Sequence, residues 1–298
     1  MNQLGKSDLY VSPVSFGCMS MGEDVSAYRD LLRKAVDRGI NFFDTADLYQ
    51  KGLNEAYVGD ALQPVRKEVI IATKVGNQWR ADGSGWDWNP CKAYILKSVE
   101  QSLKRLKTDY IDLYQLHGGT VDDPIDETID AFELLKQQGK IRWYGISSIR
   151  PKVIREYVKR SGIVSVMMQY SLLDHRPEEG LLDLLRQYGI SAICRGAIAQ
   201  GLLVGKPADS YLQFTDGEVA SAAKAVIKAA ENLALTALDV ALGYVWGHPT
   251  VATAALGIRT PAQLDEAIQA LHRAEPLSTE QRNLLRRAVR TLRYEAHR

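Results

Sequence analysis

The chain has 298 residues, 46% of them hydrophobic, and a formal net charge of +1. This length and composition allow one large buried core, so a single domain over residues 1–298 is expected. The near-neutral charge excludes the basic surface typical of nucleic-acid binding, and no apolar run approaches the roughly 20 residues that span a bilayer.

Three further features narrow the class of protein. Residues 1–16 do not form the basic start and apolar core of a secretory signal, so a cytoplasmic location is expected. Cys18, Cys91 and Cys194 are widely spaced without a C-x2-C pair, which argues against a disulfide framework and a zinc site. The histidines lack metal-ligand spacing, and no metal is assigned. No feature specifies an oligomeric state.

Hydrophobic patterns predict an alternation of strands and helices along the chain. Short, mainly apolar runs predict buried strands near 14–17, 42–45, 69–74, 111–116, 143–147, 165–169, 191–195 and 252–256. Periodic segments predict helices at 26–38, 54–61, 92–106, 126–138, 151–160, 179–188, 236–247 and 261–272. Right-handed crossover connections through the helices make all the strands parallel. The pattern therefore indicates an α/β fold, a (β/α)8 TIM barrel.

Four segments lie outside this alternation. Extra helices are predicted at 218–231 and 278–296, and the second is amphipathic and basic, as expected for a docked helix with a solvated face. Residues 1–11 predict an N-terminal β-hairpin that closes the bottom of the barrel. Residues 76–90 have no helical period and are predicted to form a long loop on the catalytic face.

Polar residues follow three successive predicted strands. Asp44, Lys74 and His117 lie at strand ends, and Tyr49 follows Asp44 by a short loop. Parallel strands gather their C-terminal ends on one face, where barrel enzymes carry their chemistry. Taken singly, each residue has an ordinary structural explanation, such as a cap or a satisfied buried polar group. Taken together, they predict an active site.

These residues occur with other stretches that mark a known family. The chain contains, in order, NFFDTADLY, ATKVG, SVEQSLKRLKTDYIDLYQLH, GKIRWYGISS, AQGLLVGK and LGIRTPAQLDEA. Over nearly its whole length it resembles the aldo-keto reductase superfamily, whose active site is an Asp, Tyr, Lys, His tetrad. The resemblance implies an NADPH-dependent oxidoreductase that reduces aldehyde or ketone carbonyls to alcohols by hydride transfer.

The four side chains suit that chemistry. Tyr49 is expected to act as the general acid, with Lys74 lowering the pKa of the phenol from about 10 toward neutrality. Asp44 is expected to pair with Lys74 and hold it in place. His117 is expected to donate a hydrogen bond to the carbonyl oxygen.

The resemblance also implies NADP(H) as cofactor, although no Rossmann fingerprint is present. The expected nicotinamide contacts are Ser147, Ser148, Gln169 and Arg195. The expected contacts of the phosphates and adenosine are Gly201, Leu202, Lys206, Gly257, Arg259, Thr260, Gln263 and Glu266. An N-cap role is the alternative for Ser147, Ser148 and Thr260. Because Arg195 stands where the family often has an aromatic residue, its charge is expected to favour the reduced cofactor.

The substrate is expected to be an apolar small-molecule carbonyl compound. The residues expected to line its pocket are Met19, Met21, Trp79, Trp86 and Trp88. The main alternative function is a regulatory subunit that binds NADPH with little catalytic activity. A third hypothesis is a lyase that forms a Schiff base through Lys74, but the nearby Asp44 disfavours it.

Overall fold

The computed structural model describes residues 1–20, 22 and 24–295. Its strands in chain order are β1 (Asn2–Gln3), β2 (Tyr10–Val11), β3 (Val14–Gly17), β4 (Phe42–Asp44), β5 (Ile70–Val75), β6 (Asn77–Trp79), β7 (Trp86–Trp88), β8 (Ile111–Leu116), β9 (Ile141–Ser147), β10 (Ser165–Gln169), β11 (Ser191–Arg195) and β12 (Val251–Gly257). Eight of them, β3, β4, β5, β8, β9, β10, β11 and β12, close into a parallel barrel in this order. The predicted (β/α)8 barrel is confirmed.

Helices surround the barrel. They are α1 (Val25–Asp37), α2 (Leu53–Leu62), α3 (Lys92–Leu106), α4 (Ile125–Gln137), α5 (Pro151–Arg160), α6 (Leu181–Gln187), α7 (Asp216–Leu233), α8 (Ala237–Trp246), α9 (Pro261–Arg273) and α10 (Thr279–Arg286). Every residue of β5 and β8 is buried, as expected for parallel strands covered on one face by helices and on the other by the barrel interior. None of the helices in the described part of the chain is long and apolar enough to cross a membrane.

The predicted N-terminal hairpin is present and plugs one end of the barrel. Strand β1 pairs with β2, and Leu4, Leu9 and Val11 pack with apolar residues of the barrel interior such as Phe42. The backbone N–H of Gly5 donates to the hydroxyl of Ser191 (2.8 Å) at the start of β11. The hairpin therefore seals the bottom and leaves only the opposite face of the barrel open.

The prediction for residues 76–90 is confirmed in position, because the segment follows β5 at the catalytic face, but it is wrong in conformation. Strands β6 and β7 form an antiparallel hairpin with Asn77 opposite Trp88 and Trp79 opposite Trp86. An ion pair joins Arg80 and Asp87 (2.6 Å) next to the turn. Cross-strand pairing of large side chains stabilises such a hairpin without requiring a buried face, so the apolar pattern that usually marks a strand is weak.

The predicted helix at 278–296 is also wrong beyond Arg286, where α10 ends. The backbone N–H of Leu292 donates to Nε2 of buried His175 (3.0 Å), and that of Tyr294 donates to Glu179 (3.4 Å). These side chains satisfy backbone groups that a continued helix would have paired internally, and they hold the segment against the barrel. Residue 296 lies outside the described residues.

Candidate active site

The four predicted catalytic residues meet at the open face of the barrel. Asp44 is the last residue of β4, Lys74 lies near the end of the neighbouring β5, and His117 directly follows β8. Tyr49 begins a short turn after β4, in which Gln50 adopts a left-handed backbone conformation with φ of 50°. The parallel register of these strands brings residues far apart in sequence to one rim.

Lys74 is the centre of the arrangement and is fully buried. Its Nζ donates to Oδ2 of Asp44 (2.7 Å), to the carbonyl oxygen of Thr45 (2.7 Å) and to Oη of Tyr49 (3.2 Å). An ammonium has three N–H donors, and all three are used here. Because Oη of Tyr49 accepts from Lys74, the phenol retains its own proton for another acceptor.

The surroundings shift the pKa values of Lys74 and Tyr49. Burial lowers the pKa of Lys74, but the charges of Asp44 and Tyr49 more than offset this and raise it overall, so the ammonium stays protonated. Burial raises the pKa of Tyr49, and Lys74 opposes this only in part. The predicted lowering of the Tyr49 pKa is therefore wrong in net direction, because desolvation of the phenolate outweighs the nearby positive charge.

His117 lies edge-on to Tyr49, with ring centroids 5.9 Å apart and an interplanar angle of 84°. Burial, and then the positive charges of Lys74 and Arg195, lower the pKa of His117 to about 3. The imidazole is therefore neutral near pH 7 and carries one N–H donor. Its buried Nδ1 has no hydrogen-bond partner among the described residues.

A cavity of about 1630 Å³ opens above these residues. Most of the predicted site residues line it: Met19, Asp44, Tyr49, Lys74, Trp86, His117, Ser147, Ser148, Gln169, Arg195, Gly201, Lys206, Gly257, Arg259, Gln263 and Glu266. Leu202, Thr260 and Trp79 are outside this lining. Met21 lies outside the described residues, whereas Trp88 lines the cavity.

The residues outside the lining have other contacts. Leu202 is buried. Thr260 caps α9, with its hydroxyl accepting from the backbone N–H of Gln263 (3.2 Å), so its alternative structural role is present. Trp79 donates from its indole to the carbonyl oxygen of Leu48 (3.2 Å) and lies under the ammonium of Lys51. The sequence alone could not show which of Trp79, Trp86 and Trp88 line the cavity, because all three are tryptophans of the same short segment.

Two of the expected nicotinamide contacts, Gln169 and Arg195, are joined by a hydrogen bond. Gln169 accepts from the guanidinium of Arg195 (3.1 Å) and donates to Oη of Tyr211 (2.8 Å). The hydroxyl of Ser148 accepts from the backbone N–H of Arg150 (3.3 Å), so it lies in a turn just before α5 and is not the N-cap of that helix.

Sequence reasoning missed three residues near the site. Gln115 donates to Oδ1 of Asp44 (3.4 Å) from within the barrel, and Tyr211 and Arg150 line the cavity. The inward position of Gln115, two residues before His117 on one strand, was a usable signal. Tyr211 follows an irregular stretch whose path no periodic pattern indicates.

The cavity fits a dinucleotide cofactor in charge and extent. Its lining runs from the catalytic residues to Arg259 just before α9, and Lys206 and Arg259 supply cations for phosphate groups. The guanidinium of Arg259 lies 3.4 Å from the hydroxyl of Ser20 and forms no ion pair among the described residues. Gly257 keeps this wall open, because a Cβ there would lie 3.1 Å from the Ser20 hydroxyl.

Known proteins share this sequence and fold. The model of the Aldo/keto reductase family matches residues 13–290. The uncharacterized oxidoreductase YqkF of Bacillus subtilis is 50% identical over 305 aligned residues, covering 99% of this chain and 98% of that protein. The aldo-keto reductase AKR11C1 from Bacillus halodurans, in its holo form, has 49% identity and a TM-score of 0.93, with 99% of this chain and 98% of that chain covered. Its apo form has a TM-score of 0.85 at 47% identity, with the same coverage.

Proposed function

We propose that this chain, which belongs to the aldo/keto reductase family, reduces aldehyde or ketone carbonyls to alcohols with NADPH, using Tyr49 as the proton donor. Members of the family are oxidoreductases of small carbonyl compounds that use nicotinamide cofactors.

The observation that carries the proposal is the buried chain of contacts from Asp44 through Lys74 to Tyr49 at the floor of the cavity. A bound nicotinamide supplies the hydride that the carbonyl carbon receives. The neutral imidazole of His117 donates a hydrogen bond to the carbonyl oxygen and orients it. As negative charge develops on that oxygen, Tyr49 transfers its proton there.

Lys74 and Asp44 support this transfer electrostatically. The phenolate left on Tyr49 lies beside the Lys74 ammonium, which stabilises it as soon as it forms. Asp44 keeps the ammonium charged and fixed in the barrel wall. The raised pKa of Tyr49 keeps the phenol protonated at neutral pH, so the proton is present at the start of each cycle.

NADPH is preferred over NADH because of Arg259, which lies just before α9. A guanidinium pairs bidentately with a phosphate, whereas an unphosphorylated ribose is more often met by a carboxylate. Arg259 would bind the adenosine 2′-phosphate, and Lys206 would bind the pyrophosphate from its loop. The greater similarity to the holo form of AKR11C1 than to its apo form also supports a cofactor-binding arrangement.

The test is consumption of NADPH and of NADH by the purified protein with a panel of aromatic and aliphatic aldehydes and ketones. We expect one alcohol formed for each NADPH consumed, at higher kcat/KM than with NADH. Tight NADPH binding with no consumption on any carbonyl contradicts the enzyme and favours a regulatory subunit. The complete contact chain from Asp44 to Tyr49, which a purely regulatory protein does not need, favours the enzyme.

A further inference from the structure

Arg150 is a cation of the cavity wall to which the proposed reaction gives no role. Other arginines of this wall are paired with buried carboxylates: Arg176 with Asp174 and Arg273 with Asp239, both at 2.7 Å. Arg150 forms no ion pair with any residue that the structure describes. The side chain of Arg150 is half-buried and lines the cavity. A guanidinium that has no carboxylate partner in such a place is suited to bind an anion.

The position of Arg150 is fixed by the loop that follows His117. Its guanidinium donates to the carbonyl oxygen of Gly119, two residues after His117. Gly119 has φ of +113°, and a Cβ there would lie 2.8 Å from the side chain of Val153 on α5. The loop therefore packs directly on the start of α5. The short chain separation limits the distance between the guanidinium and the imidazole to on the order of 10 Å.

Aromatic side chains line the cavity near these groups. Trp86 and Trp88 line the same cavity, and the ring of Trp88 packs against Gly118, where a Cβ would lie 3.1 Å from it. The neighbouring carboxylate of Asp123 accepts from the indole of Trp88 (2.8 Å) and from the backbone N–H of Thr120 (2.7 Å). Asp123 is thus held within its own loop, and the guanidinium of Arg150 keeps further N–H donors.

We propose that Arg150 binds an anionic group of the substrate, so that the preferred carbonyl compounds carry a carboxylate or phosphate separated from the carbonyl by an aromatic ring or a short carbon chain. The assignment rests on the proposed reductase function and specifies its substrate class. A substrate of this kind spans the distance from His117 to Arg150 with its apolar part against the tryptophans. Arg150 acts in binding and orientation and takes no part in proton transfer.

The first experiment compares matched pairs of aldehydes. We expect the wild-type protein to reduce 4-carboxybenzaldehyde with a kcat/KM about 10 to 100 times that of its neutral isostere 4-formylbenzamide, as a charged hydrogen bond allows. In Arg150→Met this ratio falls by at least about tenfold, and Arg150→Lys retains part of it. Arg155→Met, at an exposed site on α5, leaves the ratio unchanged. The proposal is overturned if neither this pair nor the phosphate pair described next shows a preference in the wild type that Arg150→Met reduces.

The phosphate arm uses glyceraldehyde 3-phosphate against glyceraldehyde. If Arg150→Met loses the preference only for the phosphorylated aldehyde, phosphate is the recognised group. If it loses the preference only for the carboxylated benzaldehyde, carboxylate is the recognised group. Either result supports the anion site.

A binding measurement separates this proposal from the reductase function itself. Benzoate and benzamide are titrated against the protein with and without NADP⁺, with tryptophan fluorescence as the signal. We expect benzoate to bind at least about tenfold more tightly than benzamide and to lose this advantage in Arg150→Met. If benzoate binding depends on Arg150 but no aldehyde is reduced, the anion site stands and the reductase function fails. If aldehydes are reduced without any dependence of anion binding on Arg150, the anion site fails alone.

Discussion

Acid should destabilise the folded protein through His117. In the unfolded chain a histidine takes up a proton near pH 6.5, whereas the surroundings of His117 lower its pKa to about 3. Between these values the unfolded state binds a proton that the native state does not bind. The free energy of unfolding therefore decreases as pH falls from about 6.5, by about 1.4 kcal/mol per pH unit, or about 2 kcal/mol at pH 5.

The free energy of unfolding is measured by urea-induced unfolding at several pH values between 7.5 and 5. About two measurements per pH unit resolve its slope with pH. The variant His117→Gln lacks the titrating group and should lose this share of the acid sensitivity. Burial also lowers the pKa values of His175 and His248, so both proteins keep a residual slope. His272→Gln, at an exposed position on α9, is the control and should match the wild type. Equal slopes for the wild type and His117→Gln would refute a buried neutral imidazole.

Three further predictions concern the cofactor and the packing of the barrel. Arg195→Trp should reduce the preference for NADPH over NADP⁺ in fluorescence titrations, because it removes a positive charge that opposes the oxidised ring; an unchanged ratio of Kd values contradicts this. Arg259→Glu should weaken NADPH binding by about 2 kcal/mol or more and leave NADH nearly unaffected, and equal losses for both cofactors would exclude a 2′-phosphate contact. Gly59→Ala should lower the melting temperature, because a Cβ in α2 would lie 2.5 Å from the carbonyl oxygen of Arg105. The control is Gly217→Ala in the first turn of α7, where a Cβ would have no atom nearer than 4.0 Å, so this variant should be neutral or stabilising. A Gly59→Ala variant as stable as Gly217→Ala would show that α2 and α3 do not pack so closely.

The barrel was predictable because its signals are local. Each strand is a short buried run and each helix has its own period, so topology follows from the order of elements and the handedness of crossovers. Asp44, Lys74 and His117 lie at strand ends, which fixes their common face. Their meeting is therefore a consequence of strand register and does not depend on the course of any long loop.

Properties that depend on the balance of long-range terms were not predictable. The sign of the Tyr49 pKa shift depends on whether desolvation or the Lys74 charge is larger, and only the burial of the site decides it. The end of α10 depends on His175 and Glu179, which lie more than a hundred residues earlier and accept backbone N–H groups of the C-terminal segment. The hairpin of β6 and β7 depends on cross-strand pairs between strands of three residues each, which are too short to give a periodic pattern.

The central claim is that Tyr49 supplies the proton, and Tyr49→Phe tests it most directly, because it removes only the hydroxyl. NADPH affinity and carbonyl turnover are measured on the same preparation, with Tyr188→Phe, at an exposed position on the surface, as the control. We predict that Tyr49→Phe binds NADPH within about threefold of the wild type and loses turnover by at least about a hundredfold, the size expected for general acid catalysis. Turnover close to that of the control, with NADPH still bound, would contradict the account.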